Sequence, residues 1–215
     1  GSGFFVRPDL VVTNNHVVQD GRSVKVTLDG GREVNARVVA VDPRTDLAVL
    51  KTEQGSDYPY VRFASDAPRV GDWVLAIGNP FGLGGSVTAG IVSASGRDIG
   101  AGPYDDFLQI DAPVNQGSSG GPICNMNGEV VGVSTAIASP SGGNVGIAFA
   151  IPAASVKPVV ETLRRGGQVV RGFLGVTLQP LDDELARAVG LRQDEGALVA
   201  EVTADGPAAR AGIRA

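Results

Sequence analysis

Short apolar runs separated by turn residues recur along the chain and constrain its fold more than any other feature. Val24, Val26 and Leu28 alternate with polar residues before Asp29-Gly30-Gly31, and a second alternating run follows that turn. Period-two alternation on both sides of a glycine turn is typical of a β-hairpin. Glycine contributes 31 of the 215 residues without a collagen-like period. The pattern therefore predicts a mainly β chain of short strands, typical of barrels or sandwiches.

The strand pattern also divides the chain into parts. Short apolar strands fill two stretches that an irregular segment separates, and a run of helical composition then ends at a pair of glycines, a common C-terminal stop. A separate alternation of strand and helix begins near Arg171. These divisions predict strand-rich halves over 1–65 and 69–152, a helix over 156–165 that closes a first domain spanning 1–165, and a shorter unit over 171–215.

The scarcest residues limit the chemistry. The chain has one histidine, His16, and one cysteine, Cys124, which excludes an intramolecular disulfide and disfavours a zinc site built on histidine or cysteine. We therefore expect no metal and no cofactor. If histidine catalysis occurs within one chain, His16 must perform it.

Charge and hydropathy exclude further classes. The net charge is −5 and no basic run stands out, which disfavours nucleic acid and anionic membranes as partners. No apolar run approaches the roughly 18 residues of a membrane helix. No signal-peptide pattern is present at Gly1-Ser2-Gly3, so the N-terminus does not indicate a location.

The segment Asn115 to Pro122 places two serines among glycines, which by itself is compatible with a flexible loop. Two other features favour catalysis. His16 follows an apolar strand, and Asp46 immediately precedes another. A serine hydroxyl needs a base within hydrogen-bond reach, and the base needs a carboxylate to fix its tautomer.

The glycines near the serines have a separate chemical reason. Acyl transfer passes through an oxyanion, which backbone N–H groups stabilise if the chain can turn towards it. Gly117 permits that turn. The chain order His16, Asp46, Ser119 is that of chymotrypsin-type β-barrel proteases.

The sequence resembles the HtrA/Deg family of bacterial serine proteases, and the matching motifs run in order along nearly the whole chain. They are Gly1-Ser2-Gly3-Phe4, Thr13-Asn14-Asn15-His16-Val17-Val18, Asp46-Leu47-Ala48-Val49-Leu50, Ala76-Ile77-Gly78-Asn79-Pro80-Phe81-Gly82, Gly90-Ile91-Val92-Ser93, 109–122 and Gly146-Ile147-Ala148-Phe149-Ala150-Ile151-Pro152.

The resemblance implies a chymotrypsin-like fold of two six-stranded β-barrels followed by a PDZ domain, incomplete over 171–215. It makes His16 the general base, Asp46 its orienting carboxylate and Ser119 the nucleophile, with the N–H groups of Gly117 and Ser119 as the oxyanion hole. It also implies ATP-independent cleavage of unfolded or damaged proteins, a periplasmic or cell-envelope location, and a homotrimer or larger homo-oligomer.

One position departs from the family pattern. The family usually has asparagine before the nucleophile, where this chain has Ser118. The register Gly-x-Ser-Gly-Gly still selects Ser119, and Ser118 lies outside the triad.

The same register implies further site residues. Val114, Ile137 and Ala138 fall where the family lines its primary specificity pocket, and their apolar character predicts cleavage after a small aliphatic residue; the alternative is that they are ordinary core residues. Arg97, in the loop from Gly96 to Pro103, matches the family's activator-sensing loop; the alternative is a solvated surface arginine.

Phe173, Leu174 and Gly175 resemble the loop with which a PDZ domain receives a peptide C-terminus on backbone N–H groups. The expected partners are therefore unfolded proteins or peptides and peptide C-termini. Two functions stay open: a serine endopeptidase of protein quality control, and a chaperone or peptide-binding module whose protease site is repressed or inactive.

Overall fold

The computed structural model describes residues 1–19, 21–55, 57–181, 183–188, 190–191 and 196–215. These residues form two compact units, Gly1–Val169 and Val170–Ala215. No helix in the described part of the chain is both long and apolar enough to cross a membrane.

The first unit begins with an antiparallel sheet of five strands in the order β1-β2-β5-β4-β3. The predicted hairpin is present, with Val24 opposite Ala36 and Val26 opposite Val34. The central strand, β5, and its neighbour β2 are almost wholly buried. The strands are β1 (Phe4–Arg7), β2 (Leu10–Asn14), β3 (Ser23–Thr27), β4 (Glu33–Asp42) and β5 (Leu47–Thr52), and a short helix α1 (Asn15–Val18) follows β2.

The first sheet differs in one respect from the expected six-stranded barrel, because its described strands number five. The segment after β5 still runs along β1, where Tyr58 N–H donates to the Pro8 carbonyl at 3.1 Å and Val61 N–H to the Phe5 carbonyl at 3.0 Å. Pro59 lies between these two donors and has no N–H of its own. A regular ladder is therefore interrupted there.

The second half of the unit is a closed six-stranded barrel in the order β10-β11-β8-β7-β6-β9. All its neighbouring strands pair antiparallel. The strands are β6 (Trp73–Gly78), β7 (Ser86–Arg97), β8 (Phe107–Ile110), β9 (Pro122–Cys124), β10 (Val130–Ile137) and β11 (Ala148–Pro152). The mainly β, chymotrypsin-like fold class expected from the sequence is confirmed.

Helix α2 (Ala153–Arg164) packs against the core, but it begins earlier than the predicted residue 156 and ends one residue before Arg165. Proline inside a helix removes one backbone hydrogen bond, which is why Pro158 suggested a later start. Packing outweighs that loss, because Ala153, Val156 and Leu163 are all buried.

The second unit, described by itself, contains a two-stranded antiparallel sheet in which Val176 pairs with Val202. The sequence pattern predicts a strand over 173–178 and a helix over 182–189 in this unit. The strand begins later, at Val176, and both predicted helix ends, Asp182 and Val189, lie outside the described residues. The elements are β12 (Val176–Pro180), α3 (Asp183–Ala188), β13 (Ala197–Val202) and α4 (Pro207–Arg210).

Candidate active site

His16 and Asp46 meet because the strands beside them pair. Strands β2 and β5 are antiparallel with Asn14 opposite Leu47, so the residues just beyond that pair are neighbours. The Nδ1 atom of His16 lies 2.6 Å from Oδ2 of Asp46, and the His16 backbone N–H donates to Oδ1 at 2.9 Å. A carboxylate on Nδ1 favours the tautomer whose Nε2 can accept a proton.

Asp46 has an unusual backbone conformation, with a φ of 55° in the left-handed region. Aspartate visits this region more readily than most residues. The turn is held by its carbonyl, which accepts from Asn15 N–H at 3.0 Å and from Asn14 Nδ2 at 2.9 Å. The carboxylate is therefore aimed at the imidazole by a backbone turn that other residues fix.

Asn14 is the site residue that sequence reasoning missed. Its side chain is fully buried, and its Nδ2 also donates to Thr135 Oγ1 in the second barrel at 2.7 Å. Its Oδ1 has no hydrogen-bond partner among the described residues. An asparagine at the end of a strand of apolar residues was the only sequence signal for this role.

Ser119 lies in the turn before β9 and is partly buried. Its Oγ donates to the Thr135 carbonyl at 3.3 Å rather than to His16. Thr135 thus contacts Ser119 through its carbonyl and Asn14 through its hydroxyl, which connects the serine to the His16–Asp46 pair. The neighbouring Ser118 is 6% exposed, and its Oγ accepts from Asn115 N–H at 3.4 Å.

Gly117 adopts a φ of 103°, which is open to glycine and strained for other residues. The carbonyl of Gln116 accepts from Phe81 N–H at 2.8 Å. The two ends of a trans peptide point in opposite directions, so the Gly117 N–H points away from Phe81. In the described part of the chain, the N–H groups of Gly117 and Ser119 donate no hydrogen bond.

An open cavity of about 280 Å³ adjoins Ser119. Its wall includes Val114, Ala136 and Ile137, and no charged side chain lines it. Ala138, also predicted for the pocket, lies outside this lining; it is exposed and its N–H donates to the Ile147 carbonyl at 3.1 Å.

Arg97 lies at the end of β7, whereas the sequence placed it inside a loop. Bulges in the pairing with β8 carry the strand as far as Arg97, opposite Phe107. Its Nε donates to Gln109 Oε1 at 3.0 Å, and its side chain is exposed.

In the second unit, Phe173 and Leu174 are exposed, at 69% and 64%. Gly175 has a φ of 76°, and its carbonyl accepts from Thr203 N–H at 2.8 Å. The loop therefore presents two apolar side chains beside a glycine turn.

Within the described residues, no group of three or more histidine, cysteine, aspartate or glutamate side chains could hold a metal ion. Burial raises the pKa of the Cys124 thiol to about 11, which keeps it protonated at neutral pH.

Known proteins with the same features agree in sequence and fold. The pattern of the trypsin-like peptidase domain matches residues 1–133. The whole chain is 61% identical to a probable periplasmic serine endoprotease DegP-like of Bartonella henselae and 59% identical to its namesake in Rhizobium meliloti, covering 43% of each. The chain thus spans less than half the length of these curated relatives.

Solved structures of proteases share the fold of this chain. The HtrA-type protease AlgW with a tripeptide superposes with a TM-score of 0.85 at 45% identity, over 97% of this chain and 70% of that one. The serine endoprotease from Yersinia pestis gives 0.74 at 40% identity, over 100% of this chain and 70% of that one. Because the trypsin-like peptidase domain covers residues 1–133, more than half of the 215, the chain belongs to the family of trypsin-like peptidases.

Proposed function

We propose that the chain is a serine endopeptidase that cleaves unfolded or damaged proteins without ATP. The observation that carries this proposal is the contact of 2.6 Å between His16 Nδ1 and Asp46 Oδ2. Asn14 binds both the Asp46 carbonyl and the Thr135 hydroxyl, and Thr135 lines the same pocket as Ser119. Relatives over the full length of the chain carry the name serine endoprotease.

The chemistry follows from the side chains. His16 Nε2 takes the proton of Ser119 Oγ as that oxygen attacks the peptide carbonyl, and the resulting imidazolium is stabilised by Asp46. The N–H groups of Gly117 and Ser119 would hold the oxyanion. His16 then returns the proton to the leaving amine, and water releases the acyl group from Ser119 by the same steps.

The pocket supports a preference for small aliphatic side chains. Val114, Ala136 and Ile137 offer apolar contact, and the lining provides no charge to pair with a basic or acidic residue. Ala138 follows the end of β10 and would contact the substrate side chain once a peptide is bound there.

Regulation and partners extend the proposal. Arg97 would help to order the oxyanion site from the end of β7, and Phe173, Leu174 and Gly175 would begin a PDZ loop that receives peptide C-termini. The name of the relatives supports a periplasmic location. A homotrimer or larger homo-oligomer, which the family resemblance implies, belongs to the same proposal.

A chaperone or peptide-binding module with a repressed site is the second candidate. It is favoured by one observation, that Ser119 Oγ donates to the Thr135 carbonyl instead of to His16. Under this alternative, the hydroxyl keeps that partner when a peptide binds. Under the endopeptidase proposal, the hydroxyl rotates to His16.

The test is digestion of unfolded casein by the wild type, Ser119→Ala and Ser118→Ala. We expect Ser119→Ala to lose cleavage and Ser118→Ala to retain it. Because both variants remove one hydroxyl from adjacent positions, Ser118→Ala is a matched control. Equal cleavage by the wild type and Ser119→Ala would overturn the proposal, and binding of casein without cleavage by any form would favour the second candidate.

A further inference from the structure

We call residues 116–120 the nucleophile turn. Ser2 makes four hydrogen bonds, two of them to this turn. Its Oγ donates to the Gly117 carbonyl at 2.7 Å and accepts from Asn79 N–H at 2.9 Å. Its N–H donates to the Ser119 carbonyl at 2.8 Å, and its own carbonyl accepts from Thr13 Oγ1 at 2.6 Å. Ser2 therefore bonds the turn directly at two of its carbonyls.

Along the nucleophile turn, carbonyls bonded to Ser2 alternate with carbonyls bonded to other residues. Phe81 N–H binds the Gln116 carbonyl and Gly121 N–H binds the Ser118 carbonyl; these two peptide planes carry the N–H groups of Gly117 and Ser119. The plane that joins Gly117 to Ser118 lies between them. The orientation of one outer plane relative to the other depends on the φ and ψ angles of Gly117 and Ser118, and a bond that holds the middle plane restricts these angles.

Glycines make the approach of Ser2 possible. A Cβ atom at Gly120 would lie 2.3 Å from the Ser2 carbonyl oxygen, and one at Gly78 would lie 3.2 Å from Ser2 Oγ. The absence of side chains at these positions leaves the space that Ser2 occupies. The close packing of Ser2 against the turn therefore depends on glycine at both positions.

We propose that the Ser2 hydroxyl is a positioning residue for the oxyanion hole: it fixes the middle plane of the nucleophile turn so that the N–H groups of Gly117 and Ser119 point to one place. This inference deepens the proposed function and rests on it. The hydroxyl contributes through the turn and does not contact substrate. Its loss therefore weakens binding of the transition state more than binding of the substrate.

The test compares Ser2→Ala with the wild type on a chromogenic peptide that ends in valine. We expect kcat to fall about 10- to 100-fold, the range for small misplacements of catalytic groups, with KM nearly unchanged. Affinity for a peptide boronic acid with a valine side chain, whose tetrahedral adduct uses the oxyanion hole, should fall by the same factor. Affinity of Ser119→Ala for the uncleaved peptide should not change when Ser2→Ala is added.

Two further variants control the test. Ser65→Ala removes an exposed hydroxyl that donates a hydrogen bond to Asp66, and it should match the wild type. Ser2→Cys keeps a weaker donor at the same position and should lie between wild type and Ser2→Ala, which keeps the proposal testable if the alanine variant unfolds. Thermal unfolding checks that each variant is folded.

A Ser2→Ala variant with wild-type kcat would overturn the inference while leaving the endopeptidase intact. Equal losses of boronic acid affinity and peptide affinity would also overturn it, because the serine would then act on general structure. Failure of the wild type to cleave, with no difference from Ser119→Ala, would instead overturn the proposed function and this inference together.

Discussion

The two halves of the candidate site are held in different ways. On the first sheet, His16 and Asp46 are neighbours through strand pairing and contact each other through their own side chains. On the second barrel, the nucleophile turn is held through its main-chain carbonyls, which accept hydrogen bonds from segments distant in sequence, including Ser2 and Phe81. The chemistry of the first half depends on which side chains are present. The chemistry of the second half depends on the direction in which its peptide N–H groups point.

The two halves should therefore respond differently to substitution. Replacing a side chain in the first half should remove chemistry while leaving the backbone in place. In the nucleophile turn, adding a single methyl group should be damaging even though no reactive group is lost. The following predictions test the contrast from the largest expected effect to the smallest.

Asp46→Asn should lower kcat by about 10⁴-fold, because an amide no longer fixes the imidazole tautomer. Asparagine tolerates the left-handed φ of 55°, so thermal stability should change little. Peptidase kinetics and thermal unfolding measure both effects. Asp66→Asn, at an exposed position, is the control. A loss smaller than tenfold would show that the contact with His16 is not part of the chemistry.

Gly117→Ala should lower kcat by about 10²- to 10³-fold, the cost of losing one oxyanion donor. A Cβ atom there would lie 2.3 Å from the Asn79 carbonyl oxygen, so the turn must move. Gly128→Ala is a matched control, because Gly128 has a φ of 77° but nothing within 4 Å of an added Cβ. If both variants lose activity equally, backbone strain alone, and not the oxyanion site, explains the effect.

Asn14→Ala should affect both halves, because it removes the bonds to the Asp46 carbonyl and to Thr135 Oγ1. We expect a loss of about 1–3 kcal/mol in the free energy of unfolding, since buried acceptors lose their donor. Activity should fall less than in Gly117→Ala. Denaturant unfolding and peptidase kinetics measure the two effects. Asn127→Ala, in an exposed turn, should change neither; unchanged stability of Asn14→Ala would contradict the bridging role.

The smallest effect concerns a loop outside both halves. Burial of Asp105 raises the pKa of its carboxyl, but hydrogen bonds from the N–H groups of Ala101 and Ile99, with smaller contributions from Asp98 and Gly102, together leave that pKa below its ordinary value of 3.8. The carboxylate therefore stabilises the loop above the unfolded pKa, and this contribution is lost as pH falls through the lower folded pKa. The protection of the Ile99 amide against exchange, taken relative to the intrinsic exchange rate at each pH, should fall only below about pH 4. Loss of protection at higher pH, or unchanged protection in Asp105→Asn, would contradict this.

Residue types and alternation were enough to single out His16 and Asp46, which the structure brings into contact. His16 and Asp46 each lie beside an apolar strand, and the hairpin of β3 and β4 follows directly from period-two alternation. The roles of Ser2 and Asn14 could not be predicted. Their bonds to Gly117 and Thr135 span long sequence separations, and local pattern does not indicate which distant carbonyl a side chain meets.

Long-range contacts also explain where the fold differs from the sequence prediction. Packing of Val156 and Leu163 decides where helix α2 begins, although Pro158 alone favours a later start. Bulged pairing with β8 decides that Arg97 ends a strand. In both places, tertiary contacts outweigh the local signal.

The central claim is that Ser119 is the activated nucleophile. The most direct measurement is labelling with a fluorophosphonate, in which a serine Oγ forms a bond to phosphorus as fluoride leaves, followed by peptide mass spectrometry. We expect one adduct, on Ser119, that persists in Ser118→Ala and is absent from Ser119→Ala. An adduct on Ser118, or equal labelling of Ser119→Ala and the wild type, would contradict the account.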